Sequence, residues 1–271
     1  MVSRSLGSRG AGSLCLIVLI GLGTTIYSSQ AQSERCSLPS EHAGMTFPIE
    51  QVDQDWACRL QPIISHYTSA NTLGPLRTPL SHDVYVYLLD HPRMTAILVN
   101  RLGIATYQSE MRGPGHYWGN DGEGTEGIVE LVYQDRTSRV YYLEGSHDSR
   151  FLPLITGKAV VLLRIDQVTD SNGVEATDST LVSYTRLDNR MLAGVASLLR
   201  PLVGSAVTRR LEKGVDTVNR LSRVMRQQPD RVVSAAAKSP GLPFDEVAFL
   251  KQALADLANS SSVTPSRTMS P

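Results

Sequence analysis

The chain has 271 residues, with 26 basic and 26 acidic side chains and a formal net charge of zero at pH 7. This balance gives no reason to expect a nucleic-acid partner. The length suits one domain of generous size, or one domain with appendages.

The N-terminus has the pattern of a secretory signal peptide. Arg4 and Arg9 form a positive segment without acidic residues, Leu14 to Leu22 form a short nonpolar segment, and Ser29 to Ala31 offer small residues for cleavage. The nonpolar run is shorter than the ~20 residues that a membrane-spanning helix needs, which favours cleavage over an uncleaved anchor. We therefore expect residues 1–31 to be removed and the mature protein to be periplasmic or secreted.

Cys36 and Cys58 are the cysteines that remain after this cleavage. An even pair in an exported chain indicates a disulfide. A redox or metal pair is the alternative, but the spacing is far from Cys-x-x-Cys and no histidine lies at ligand spacing. The pair therefore predicts a structural bridge in an N-terminal extension, residues 32–59, and no metal ion.

The segment up to Leu80 carries frequent prolines, which predict short elements only. These are a helical turn at Gln51–Arg59 and a first strand at Leu60–Tyr67. After Ser81, nonpolar residues recur at helical spacing on both sides of Pro92. Because Pro92 disfavours helical geometry at His91, the pattern predicts two short helices, at about residues 82–90 and 92–101.

Strand-like segments separated by turn signals follow from Ile104 to Leu187. The predicted strands are Ile104–Arg112, His116–Asn120, Gly127–Gln134, Arg139–His147, Lys158–Thr169 and Val174–Leu187. Asn172-Gly173 predicts a type I′ hairpin turn, because both central positions of that turn need positive φ. Alternation places nonpolar residues on one face of the sheet, for example Val129, Leu131 and Tyr133. That face must be covered.

A long helix pattern from Arg190 to Met225 supplies the cover, with Asp188 or Asn189 as its cap. Its nonpolar residues recur at intervals of three and four: Leu192, Val195, Leu199, Leu202, Val203, Ala206, Val207, Leu211, Val215, Val218, Leu221 and Met225. Pro201 is expected to kink or split this helix. Its basic side chains favour a solvated face, with peripheral contact to an anionic membrane as the alternative.

The remaining residues, 227–271, are predicted to form a tail. Nonpolar residues from Phe244 to Leu257 indicate one short amphipathic helix, which we expect to dock on the domain rather than to recruit a partner. Asn259–Pro271 are rich in Ser, Thr and Pro and are predicted to be disordered.

The order of these elements resembles the helix-grip fold of the START-like (SRPBCC) superfamily, which includes polyketide cyclases and lipid-transfer domains. The resemblance covers about residues 60–226 and is carried by Val84–Pro92, similar to the helix and proline after the first strand there, and by Leu198–Val203. It implies an α+β fold in which a curved antiparallel sheet wraps around a long C-terminal helix, with two short helices near the start. It also implies a cavity between sheet and helix for a lipid, sterol, polyketide or other apolar molecule.

The candidate ligand-binding residues are aromatic: Trp118, Tyr133, Tyr142 and Tyr184. A tyrosine that faces a cavity gives a nonpolar wall with one polar tip, although packing in the core is the alternative. Tyr133 is the strongest candidate, because alternation places it on the face of Val129 and Leu131.

Catalytic residues are not predicted, because the chain has no Gly-x-Ser-x-Gly segment and its histidines form no zinc pattern. We favour an exported binding or carrier protein for a small apolar or amphipathic ligand, without a cofactor. One alternative is a cyclase or dehydratase that uses His116, Glu144 or His147 as acid or base. The other is a cell-envelope interaction protein whose cavity is filled by its own side chains.

Overall fold

The structure is a computed structural model that describes residues 36–149, 152–169, 173–188 and 196–262. The predicted signal peptide, Asn172 of the predicted hairpin turn, the alternative helix cap Asn189 and the last residues of the tail lie outside the described residues.

The strands and helices are largely segregated along the chain, as in an α+β fold: six consecutive strands are followed by three helices. The strands are β1 (Glu41–His42), β2 (Met45–Thr46), β3 (Ser69–Thr78), β4 (Gln108–Gly113), β5 (His116–Asn120), β6 (Thr125–Gln134), β7 (Ser138–Ser149), β8 (Leu152–Thr169) and β9 (Glu175–Leu187). The α-helices are α1 (Gln54–Ser65), α2 (His82–Asp90), α3 (Pro92–Arg101), α4 (Ala196–Gln227), α5 (Pro229–Ala237) and α6 (Phe244–Ser262). A short 3-10 helix covers Ile49–Gln51.

A curved antiparallel sheet forms the centre of the fold, with the strand order β3-β9-β8-β7-β6-β5-β4. The sheet is not closed, and the long helix α4 follows it in sequence. The predicted fold class is therefore confirmed. Helices α2 and α3 and strand β5 have the predicted bounds, and the other strands of the predicted run are found with shifted ends.

The prediction of a first strand at Leu60–Tyr67 is wrong, because helix α1 continues to Ser65. Asp53 caps this helix by accepting a hydrogen bond from the backbone N–H of Asp55, at 2.8 Å. Its buried residues are Ala57, Leu60, Ile63 and Ile64, which is helical spacing. The burial of this stripe outweighs the cost of Pro62 within the helix.

Helix α4 runs through Pro201 without being split there. Pro201 removes one backbone hydrogen bond in the second turn of the described helix, and the remaining bonds of its 32 residues keep the helix continuous. The tail contains two helices where the sequence predicts one, and α6 includes Asn259 to Ser262, part of the segment that is predicted to be disordered. Both tail helices pack on the domain, since Val232, Leu250 and Leu254 are buried in the core.

Both faces of the sheet are covered. The inner face, which we define as the face that α4 packs against, carries Leu163 and Ile165 in one core cluster with α2, α3, α5, α6 and the C-terminal half of α4. The opposite, outer face carries Val160 and Leu162 in a second core cluster with α1 and Phe47. The sequence predicts one nonpolar face of the sheet, whereas the structure has two. The second exists because α1 and the extension before it pack on the outer face as a further layer.

The disulfide between Cys36 and Cys58 joins the extension to α1, with an S–S distance of 2.06 Å and a Cα–Cα distance of 4.9 Å. The predicted bridge is confirmed. It holds the segment that contains Phe47, whose side chain is fully buried, against the outer face.

Three glycines on neighbouring strands lie where the backbones approach too closely for a side chain. Gly127, Gly145 and Gly157 are paired in register on β6, β7 and β8. A Cβ atom at Gly127 would lie 2.5 Å from the carbonyl oxygen of Glu144, and one at Gly157 would lie 2.8 Å from that of Arg186. Glycine at such positions lets strands approach closely where a sheet bends. We call this set the glycine row.

Candidate ligand-binding groove

The nonpolar residues of α4 that face the sheet form a stripe along the helix. This stripe is tightly packed in the C-terminal half of the helix and less buried in the N-terminal half. Leu221 and Met225, in the C-terminal half, are fully buried, and Val218 packs partly buried against the same core. Val207 and Leu211, in the N-terminal half, continue the stripe at helical spacing but are only half-buried. Neither belongs to the two core clusters formed by the described residues.

Gly214 lies on this stripe, between Leu211 and Val218. A Cβ atom at Gly214 would meet no atom within 4 Å outside its own helix. Helical spacing turns residue 214 towards the sheet, together with Leu211 and Val218. The absence of atoms near its Cβ position therefore indicates unfilled space between the helix and the sheet. We call this space, between residues 204–215 of α4 and the inner face, the inner groove.

Two rows of paired residues form the sheet side of the inner groove. One row is Val129, Leu143, Ala159, Thr185 and Ser69, and the other is Leu131, Tyr141, Val161, Ser183 and Asn71. In both rows the residues on β6, β7 and β8 are nonpolar or aromatic, and those on β9 and β3 are polar and uncharged. The groove therefore has a nonpolar end and a neutral polar end.

The helix is held above these rows from both sides. At the β3 edge, the hydroxyl of Thr208 lies 2.8 Å from the Asn71 Oδ1 atom, and a Cβ atom at Gly204 would lie 3.9 Å from that of Ser69. At the other side, Arg210 forms an ion pair with Asp121 in the loop between β5 and β6 and contacts the His147 ring on β7, at 3.1 Å from Nδ1. These contacts place α4 across the groove.

The Asp121 carboxylate is held in its charged form. Although burial favours the neutral acid, the backbone N–H groups of Thr125 and Glu123 and the Arg210 guanidinium hold the pKa of Asp121 below its usual value of 3.8. The stabilisation is therefore fully present above pH 3.8, and it is lost as the pH falls through the lower pKa of the folded state.

The Asp121→Asn substitution should lower the free energy of unfolding by about 1 kcal/mol at pH 7, because the ion pair is partly exposed. The difference from the wild type should shrink below pH 3.8. Urea denaturation at a series of pH values measures both effects. Glu123→Gln is the control, since Glu123 pairs with Lys213 but is 57% exposed, and its effect should be smaller. Equal effects of the two substitutions at all pH values would contradict this role of Asp121.

The four predicted aromatic residues lie on the outer face, away from α4. Tyr133 was predicted to share a face with Leu131, and this is wrong. The register shifts between these two residues, so that Leu131 pairs with Tyr141 and Tyr133 pairs with Val140 in the outer core. A β-bulge reverses the alternation of a strand, and no local pattern signals it here.

The other three aromatic residues have partners on that face as well. Trp118 pairs with Ile128, Tyr142 is buried in the outer core, and the Tyr184 hydroxyl lies 2.9 Å from the His42 Nδ1 atom. We therefore do not assign these residues to the inner groove.

A separate pocket of about 410 Å³ lies between α1 and the outer face, with Tyr142 in its wall. Five of its lining residues are charged: Arg59, Glu144, Lys158, Arg186 and Asp188. Glu144 accepts a hydrogen bond from the Tyr142 hydroxyl at 2.5 Å and lies 3.4 Å from the Lys158 Nζ atom. Burial, and then the Glu144 carboxylate, raise the pKa of Tyr142. A wholly nonpolar ligand suits this pocket poorly.

The three candidates for acid–base catalysis do not meet in one site. His116 lies 2.5 Å from Glu130 on the outer face, Glu144 lines the outer pocket, and His147 contacts Arg210 at the inner groove. An acid and a base that act on one substrate must both reach it within hydrogen-bond distance. The arrangement of these three side chains does not provide such a pair.

Within the described ranges, no group of three or more His, Cys, Asp or Glu side chains is placed to hold a metal ion. Among the described helices, none combines the length and the hydropathy needed to cross a bilayer.

Comparison with known proteins finds no matching family model and no matching curated protein. Solved structures do match. The crystal structure of a conserved protein from Geobacillus kaustophilus superposes with a TM-score of 0.41 at 10% sequence identity, and the match covers 57% of this chain and 95% of that one. Protein Ms6760 from Mycobacterium smegmatis is 15% identical with a TM-score of 0.34, covering 56% and 88%. The di-domain ARO/CYC BexL from the BE-7585A biosynthetic pathway is 14% identical with a TM-score of 0.37, covering 62% and 55%. Similarities this weak do not place the chain in a family.

Proposed function

We propose that this protein is an exported carrier that holds a small nonpolar or amphipathic ligand in the inner groove, without catalysing a reaction. The observation that carries the proposal is the unfilled position at Gly214, on a nonpolar stripe that is closed at Leu221 and only half-buried at Leu211. Ligand sites are concave and lined mostly by nonpolar side chains with a few polar groups. The two rows of the inner face have this composition.

Two features support export. The N-terminal sequence has the pattern of a signal peptide, and Cys36 is bonded to Cys58. Disulfides form and persist in oxidising compartments outside the cytoplasm. A carrier function agrees with the resemblance of the element order to START-like proteins, whose cavity lies between the sheet and the C-terminal helix.

Binding is favoured over the two alternatives. The cyclase or dehydratase hypothesis needs an acid and a base that converge on one substrate, and His116, Glu144 and His147 are separated. The interaction-protein hypothesis needs a filled interior, whereas the space in front of Gly214 is open. The carrier hypothesis explains why the nonpolar stripe of α4 is fully buried at Leu221 and Met225 but only half-buried at Val207 and Leu211.

The Gly214→Leu substitution tests the proposal by filling the groove. We expect the affinity for the neutral fluorescent probe N-phenyl-1-naphthylamine to fall at least about tenfold, because the new side chain occupies the ligand's space. Thermal stability should rise, since leucine favours a helix over glycine by roughly 0.8 kcal/mol, which corresponds to about 2–4 °C in Tm. Fluorescence titration and thermal unfolding measure the two effects.

Glu212→Leu is the matched control, because it places the same side chain on the exposed side of the same helix turn. It should leave probe affinity unchanged. Wild-type affinity in the Gly214→Leu protein would place the ligand elsewhere, and a folded wild-type protein that binds no probe would remove the carrier proposal.

A further inference from the structure

The polar end of the inner groove contains three buried atoms that lack a hydrogen-bond partner. They are the Ser69 and Ser183 hydroxyl oxygens and the Asn71 Nδ2 atom. Ser183 is only 2% exposed and Ser69 is 9% exposed, so that bulk water does not readily compensate these groups. An unsatisfied buried donor or acceptor costs free energy, and native proteins rarely leave several of them together.

These three residues are neighbours on one face. Asn71 on β3 pairs with Ser183 on β9, and Ser69 lies two residues before Asn71 on the same side of β3. The Asn71 amide oxygen is already bonded to Thr208 of α4, which leaves the amide nitrogen open. The unsatisfied groups therefore form one cluster beneath the helix, at the end of a groove that is otherwise nonpolar.

The cluster is neutral. On the side of β3 and β9 that faces the groove, the two rows consist of four uncharged residues: Ser69, Asn71, Ser183 and Thr185. A carboxylate or ammonium group buried there would have no countercharge, which is strongly unfavourable. Hydroxyl and amide groups can satisfy the oxygen of an alcohol or of a carbonyl group.

We infer that the neutral cluster of Ser69, Asn71 and Ser183 binds an uncharged hydroxyl or carbonyl group at one end of an amphipathic ligand, whose nonpolar body lies along β8, β7 and β6. This inference rests on the proposed carrier function. The distance from β9 to β6 is three strand spacings, about 14 Å, which sets the scale of the nonpolar body. The ligand class is thus a medium-chain or polycyclic alcohol, ketone or ester.

The ranking of three probes of equal chain length tests the inference in the wild-type protein. Displacement of N-phenyl-1-naphthylamine is measured with 1-undecanol, 2-undecanone and undecanoate at pH 8. We expect the alcohol and the ketone to compete at least about tenfold better than the carboxylate. A tenfold ratio corresponds to a difference in binding free energy of about 1.4 kcal/mol. Equal or better competition by undecanoate would overturn the inference.

The Ser183→Ala substitution tests the contact itself. The affinity for 1-undecanol should fall about fivefold to tenfold, as expected for one lost hydrogen bond, while the affinity for the naphthylamine probe stays unchanged. The Tm of the ligand-free protein should stay equal or rise, because the substitution removes an unsatisfied hydroxyl. A serine with a merely structural role would lower the Tm instead.

Ser179→Ala is the matched control on the same strand and face. Ser179 is also buried, but its side chain is hydrogen-bonded to Tyr85. Its replacement should lower the Tm and leave the ranking of the probes unchanged. If Ser183→Ala behaves like Ser179→Ala, the cluster is not a ligand contact, although the carrier function stands. If the wild type binds no probe at all, both proposals fail.

Discussion

The Leu221→Asp protein should fail to fold. Leu221 is fully buried in the inner core, where α4 meets α2, α3 and the tail helices. An unpaired aspartate at this position costs at least about 3–5 kcal/mol, a large part of the 5–15 kcal/mol that stabilises a typical domain. Circular dichroism and the recovery of soluble protein measure the outcome. A cooperative thermal transition close to that of the wild type would show that α4 does not seal the core.

Leu211→Asp gives the matched comparison, three helical turns towards the N-terminus on the same stripe. Leu211 is half-buried beside the inner groove, so its replacement leaves the aspartate within reach of water. This protein should fold with a modest loss of stability and should bind nonpolar probes poorly. The helix pattern alone treats the two leucines as equivalent, whereas the packing around them separates a structural position from a binding position.

Loss of the Cys36–Cys58 bridge should destabilise the protein by about 3 kcal/mol, because the bridge restricts the unfolded chain over a sequence separation of 22 residues. The Cys58→Ser protein should also release the segment around Phe47 from the outer core. Urea denaturation measures the loss, and reduction of the wild type with dithiothreitol should reproduce it.

Intact-mass analysis of the exported wild-type protein supplies the chemical control. The mature chain should begin near Gln32 and should contain no thiol that reacts with iodoacetamide before reduction. Two reactive thiols in the unreduced mature protein would exclude the bridge.

Local sequence patterns are sufficient to predict an element where residues that are adjacent in sequence determine its structure. The bounds of α2 and α3 follow from Ser81 and Pro92, and the fold class follows from the order of strands and helices. The segment Leu60–Tyr67 is ambiguous in sequence, because Leu60, Ile63 and Ile64 fit either a short buried strand or a helix, and the prolines nearby favour short elements. Burial against the outer face decides for the helix, and no local pattern contains that information.

The candidate site depends on contacts that are distant in sequence. Asn71 and Ser183 become neighbours only through the pairing of β3 with β9, and Tyr133 leaves the inner face through a bulge. Gly214 carried a signal that was missed. A glycine within a long helix lowers helix stability relative to alanine, and on the nonpolar stripe it also leaves a position of the helix–sheet interface without a side chain.

The glycine row has a consequence for how this sequence can diverge. At Gly127 and Gly145, any side chain would collide first with the backbone of the adjacent strand. A clash between two side chains can be relieved by a second substitution that makes the partner smaller, but a backbone carbonyl group cannot be made smaller. These positions therefore admit no pairwise compensation, and relatives that keep the same curvature should keep glycine at both while the nonpolar residues around them exchange freely.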